Sequence, residues 1–348
     1  MGIYFRAMKD LRWLRAMTPG ICLGCFLVCG HAQEKAAGKP ELLVVNQGDV
    51  DLSVVDPAAA RQVATVPEGV TGVHGHEVVA SPDGRLAYVP VYGSTGVGKP
   101  GIDGHAMLVI DLASRKVKGQ LDFGHAVRPH CVLYNATTGL LYVTTELDQT
   151  VTAVDPKTLK IVWTIPTGQT QSHMLALTRD GKRGYTANVG PGTVSVLDMV
   201  GRKTVVVIPV SSGTVQRISL SADEKTVFTA DQGKPQLAAI DTTTNKVKSW
   251  VALPAVAYGT AATSDGRWLL VTIPTAAQVV VVDLSTMKVV RSISVPSAPQ
   301  EILMRPDGKV AYVSCNVSGK VAAIDLAQWK VQDVIDVGKG ADGLGWAR

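Results

Sequence analysis

The chain is expected to be all-β, a single seven-bladed β-propeller of four-stranded blades, its ring closed by a C-terminal strand that joins the N-terminal blade. Two observations predict this. Two hydrophobic residues followed by aspartate recur seven times, at Asp56, Asp111, Asp155, Asp198, Asp241, Asp283 and Asp325, with spacings of 55, 44, 43, 43, 42 and 42 residues. Thirteen residues before six of them stands Leu43, Tyr142, Tyr185, Phe228, Leu270 or Tyr312, each opening a short β-favouring run. A sheet of four short strands cannot cover its own apolar faces, so a repeat of this length must stack on its neighbours around an axis.

Taken in chain order, residues 1–32 read as a signal peptide. Arg6, Lys9, Arg12 and Arg15 precede an apolar stretch from Ile21 to Val28, and Gly30-His31-Ala32 supplies a small-x-small site, which puts cleavage after Ala32. The stretch is too short to span a bilayer. Leu23-Gly24-Cys25 has the outline of a lipidation signal, but more apolar residues follow Cys25 in place of a polar tether. The expected location is therefore periplasmic or secreted, with no membrane span in the mature chain. Four basic residues and Asp10 fall in this leader, so a formal charge of +5 becomes +2 without it. That leaves no concentrated basic face and argues against nucleic acid as a partner. Three of five cysteines also leave with it, and Cys131 and Cys315 alone make no disulfide framework.

Residues 33–40 read as a linker, and 41–348 as the propeller. The first unit begins at Glu41-Leu42-Leu43 with no inner strand before it, while Gly343 to Arg348 is a spare strand-like segment after the last unit. Pairing the two closes the ring and removes two sheet edges. Tyr88 stands 23 residues ahead of Asp111, so ten residues are inserted in the Gly- and Pro-rich stretch from Tyr92 to Gly104, read as a flap over one mouth of the channel. The stretch is no phosphate loop, since Pro100 follows Lys99 and no helix pattern follows. One later unit is expected to run Met174–Leu177, Gly184–Asn188, Thr193–Leu197 and Thr204–Pro209.

Ser81-Pro82-Asp83-Gly84 before Tyr88-Val89, Tyr142-Val143-Thr144-Thr145, Tyr185-Thr186-Ala187-Asn188, and Pro306-Asp307-Gly308 before Tyr312-Val313-Ser314 resemble the YVTN-repeat, YncE-like seven-bladed β-propeller family over essentially all of residues 41–348. The resemblance implies an exported or surface propeller. Its relatives differ in role: some bind nucleic acid, while more distant ones are lactonases or carry metal and redox centres. No residue-level motif of any subgroup transfers to this chain.

Counting twelve residues back from each landmark reaches the start of the innermost strand, at His76, His130, His173, Gln216, Tyr258 and Gln300, and the same spacing gives Asp342 for the closing blade. This ring is entirely polar, with histidine on three consecutive blades. Imidazoles from adjacent strands are suited to one divalent transition metal, Zn, Cu or Fe, at His76, His130 and His173. Glu77, Glu146 and Asp342 are candidates to orient them or to move protons. His74, Tyr92, His105, Arg128, Arg217, Tyr258 and Gln300 complete the candidate ligand set, with Arg128 and Arg217 placed to hold an anion. Three roles stay open: a monomeric propeller binding a small molecule or metal, a lactonase-like hydrolase or lyase acting on an anionic substrate, and a scaffold for an envelope protein.

Overall fold

A computed structural model describes residues 39–210 and 213–348, so the expected leader and most of the linker lie outside the described residues. The described residues form seven antiparallel sheets, each ordered from an inner to an outer strand. Blade 4 shows the pattern: Ser172–Leu177, Arg183–Asn188, Thr193–Asp198 and Lys203–Pro209, within two residues of expectation at every boundary. Among the described residues no helix is long and apolar enough to cross a membrane.

The landmarks are the pillars of the stack. Leu43, Tyr88, Tyr142, Tyr185, Phe228, Leu270 and Tyr312 are all at most 1% exposed. Each lies in the second strand of its blade, and burying one side chain of this size is worth about 1.5–3 kcal/mol.

The signature aspartates end the third strands, and the reason is a turn. Asp241 Oδ1 accepts from the amides of Thr243 and Thr244 at 3.0 and 2.7 Å, and Asp325 Oδ1 from those of Ala327 and Gln328. An aspartate that holds the next amides shapes the chain reversal. Four residues after each aspartate the backbone enters the left-handed region, at Ala60, Arg115, Leu159, Arg202, Asn245, Met287 and Trp329. A register shift one or two residues before each aspartate, as at Val54/Val55 and Ala239/Ile240, recurs in all seven blades. Such bulges add twist to the outer strand.

Closure follows expectation. Ala341–Ala347 pairs antiparallel with Glu41–Asn46, Leu43 facing Gly345 and Val44 facing Leu344. Gly343 is required here. A Cβ on it would stand 2.3 Å from the His76 carbonyl oxygen, which accepts from the Gly343 amide at 2.9 Å. This approach coincides with a gap in the inner strand of blade 2, which is split into His74–Gly75 and Val79–Ala80 and leaves His76 and Glu77 between the pieces.

The insertion is an ordered hairpin between Leu86–Gly93 and Asp103–Asp111. The Ser94 amide donates to the Ile102 carbonyl, and the Ile102 amide to Ser94 Oγ. Arg128 fastens it from blade 3, through Nε to the Asp103 carboxylate and Nη2 to the Lys99 carbonyl.

Candidate functional site

The ring of inner-strand starts is gathered at one rim by the repeat. His76 and His130 have ring centroids 5.0 Å apart, His130 and His173 lie 3.5 Å apart, and His74 stacks on His76 at 4.9 Å. Tyr92, at the root of the flap, stands 4.8, 5.2 and 5.6 Å from His76, His130 and His173. His76, His130 and His173 are at most 8% exposed and Tyr92 is wholly buried, whereas His74 is half-buried at the edge of the cluster.

Two carboxylates back the imidazoles. Glu146 Oε2 accepts from Tyr92 Oη at 2.7 Å and lies 3.2 Å from His173 Nδ1. With Glu146 as the acceptor of that contact, His173 carries its proton on Nδ1, leaving Nε2 to accept from Gln216 Nε2 at 3.3 Å. Asp342 Oδ2 lies 3.6 Å from His76 Nδ1, and Gln47 Nε2 reaches both groups. Burial first, then the neighbouring imidazoles and Arg217, hold His76 and His130 well below the ordinary histidine range, so both are neutral at neutral pH. Burial pushes Tyr92 upward, with Glu146 adding to the effect.

A second layer lies beside the imidazoles and spans the channel. Arg217 of blade 5 meets Glu77 of blade 2 and Asp342 of the closing strand at 2.8 Å each, and Glu301 of blade 7 at 3.7 Å. Its guanidinium also lies 5.4 Å from the Tyr258 ring, a cation–π contact. Burial opposes its charge, but the three carboxylates together raise its pKa well above the ordinary value. Burial raises the pKa of Glu77, Glu301 and Asp342, against the pull of Arg217. One guanidinium therefore serves three carboxylates.

Among buried side-chain atoms without a hydrogen-bond partner are His74 Nδ1, His76 Nε2 and His130 Nδ1. Glu77 Oε1 and Arg217 Nη1 belong to the same group, because their 2.8 Å ion pair is not aligned as a hydrogen bond. Among the described residues no three or more His, Cys, Asp or Glu side chains stand ready to hold a metal ion.

Of the expected residues, the structure brings together His74, His76, Glu77, Tyr92, His130, Glu146, His173, Arg217, Tyr258 and Asp342. Gln300 is at the inner end of blade 7, where its carbonyl accepts from Thr272 Oγ1 at 3.0 Å. His105 stands apart, more than half exposed and 3.2 Å from Asp122. Arg128 serves the flap, and below that flap Lys99, Asp103, Glu146, Gln149 and Gln171 line a cleft of about 520 Å³. Cys131 and Cys315 are both buried and free, with burial pushing each thiol up. Sequence reasoning missed Gln47 and Glu301. Glu301 follows ring residue Gln300 just as Glu77 follows His76 and Arg217 follows Gln216, so the repeat offset carried the signal.

The family model described as YNCE-like beta-propeller matches residues 221–347. That match and the seven-bladed ring together support a YncE-like propeller. No curated protein matches the sequence. Among solved structures, a chain of Kuenenia stuttgartiensis Hydrazine Synthase is similar with a TM-score of 0.68 and 17% identity, covering 84% of this chain and 93% of that one, a likeness of fold.

Proposed function

We propose that this chain is an exported propeller that binds a small ligand or a metal ion at the imidazole mouth of its channel. The observation that supports this most is the set of unpartnered nitrogens on His74, His76 and His130. A buried polar atom without a partner costs about 1–3 kcal/mol, and three in one cluster mark a place built to meet something else. The cleft beneath the flap is lined by Glu146, whose carboxylate lies 3.2 Å from His173 Nδ1.

The arginines bear on the class of ligand. Arg128 is paired with Asp103, and Arg217 with Glu77 and Asp342, so both guanidiniums are already neutralised. This favours a neutral or cationic occupant over the anionic substrate of a hydrolase. To test the reading, the protein is purified without chelators and its bound species are identified by native mass spectrometry and elemental analysis, beside His76→Gln and His130→Gln. The wild type should retain a species that both variants lose. A wild type that carries nothing, and whose melting temperature no metal or small molecule shifts, overturns it.

A further inference from the structure

We infer that the cleft beneath the flap is a second binding site, for a small zwitterion of the α-amino acid class whose ammonium meets Glu146 and whose carboxylate meets Lys99. This goes beyond the imidazole-mouth reading and shares only Glu146 with it.

The cleft exists because the repeat is broken. Blade 2 alone carries ten extra residues, and a long insertion in a compact fold is a common place for function. Arg128 of blade 3 grips the hairpin from one side, through Asp103 and the Lys99 carbonyl. Gln171 of blade 4 meets it from the other. A Cβ on Gly98, at φ +70°, would stand 2.8 Å from Gln171 Nε2, so the flap backbone lies directly on that side chain. The cleft below, about 520 Å³, is of a size that suits a small molecule.

Charge decides what fits. Lys99, Asp103, Arg128 and Glu146 line the cleft, and Arg128 and Asp103 pair with each other. Glu146 is only 3% exposed, and its Oε2 takes both of its contacts, Tyr92 Oη at 2.7 Å and His173 Nδ1 at 3.2 Å, which leaves Oε1 without a partner at the cleft wall. A buried carboxylate oxygen with an open direction favours a donor that carries positive charge. The lysines in ion pairs among the described residues are Lys182 and Lys320, and Lys99 is not one of them. Its long stem on the exposed flap lets the ammonium settle over whatever lies below. One spare anion in the wall and one spare cation in the roof fit an occupant with one charge of each sign, whereas an anion or a cation alone leaves one of the two unanswered. Leu147, next to Glu146 and 45% exposed, offers apolar surface to an aliphatic side chain.

The test measures affinities of the full chain by isothermal titration calorimetry for L-leucine and two analogues, leucinol, which lacks the carboxylate, and isocaproate, which lacks the ammonium. L-leucine should bind, and each analogue should bind at least ~10-fold more weakly. Lys99→Ala should weaken L-leucine at least ~10-fold and leave leucinol where it was, because the contact is already missing. Glu146→Gln should weaken L-leucine likewise and spare isocaproate. Lys118→Ala, exposed on the outer strand of blade 2, should change nothing. Circular dichroism shows whether Glu146→Gln keeps its fold, and if it does not, Lys99→Ala with leucinol decides alone. No binding of L-leucine, equal affinity for L-leucine and leucinol, or undiminished binding by Lys99→Ala overturns the site. Binding of D-glucose in place of L-leucine refutes the zwitterion as well. None of these results bears on the species retained at the imidazoles and lost by His76→Gln and His130→Gln, so the two readings stand or fall separately.

Discussion

Glu68 is 2% exposed, accepts one hydrogen bond from the Gly75 amide at 2.9 Å through Oε2, and has no partner at Oε1. Burial raises its pKa from 4.5 to about 7. The folded state thus binds this proton more tightly than the unfolded chain. The group is neutral and undemanding below pH 4.5, its contribution falls as pH rises towards 7, and above that the loss is constant. A displacement of this size corresponds to about 3 kcal/mol. Glu68→Gln should therefore flatten the decline in stability between pH 5 and 8 relative to wild type, as measured by urea denaturation at both values. Parallel curves for the two proteins would reject the assignment. No feature of the local sequence announces this residue, because its environment comes from the inner edge of blade 2 folding back onto it. His105 shows the opposite failure. It lies in the right segment for the mouth, but its side chain faces Asp122 and solvent.

Among the elements, the flap departs most from what its composition suggests. Gly, Ser and Pro between Tyr92 and Gly104 read as flexible, yet the hairpin is tied by its own Ser94–Ile102 bonds and by the side chain of Arg128. Removing that side chain frees Asp103 and the Lys99 carbonyl together. Arg128→Ala should leave the blades intact while making residues 94–102 the first site of limited proteolysis, and cleavage no faster than in wild type would show the anchor to be dispensable. The strands and turns were legible because each is dictated locally: the aspartate by its turn, the unbroken apolar runs such as Val279–Val282 by burial on both faces. The partners of Arg128 were not, since they depend on how far one side chain reaches across a loop whose path no period describes.

For the molecule as a whole, Arg217 joins blade 5 to blades 1, 2 and 7 through a single buried group. Breaking a buried ion network from one side leaves charges stranded in low dielectric, typically at a loss of 3–5 kcal/mol. Arg217→Met should lower stability by about that amount, read from the denaturant midpoint, and adding Glu77→Gln and Asp342→Asn should restore part of it. A single variant as stable as wild type would mean the network contributes nothing net. The seven-fold period made the ring and its polar rim readable in advance, whereas the contacts across the axis join residues 125 positions apart and follow only from the ring's closure.

The ladder between Glu41–Asn46 and Ala341–Ala347 has one more implication. Because the first and last strands lie side by side in one sheet, a peptide bridge between them, with a new opening cut at any exposed turn, yields a permuted chain with every inter-blade contact preserved. Which blade comes first is thus an accident of chain numbering, and the chemistry at the rim depends only on the cyclic order of the repeats.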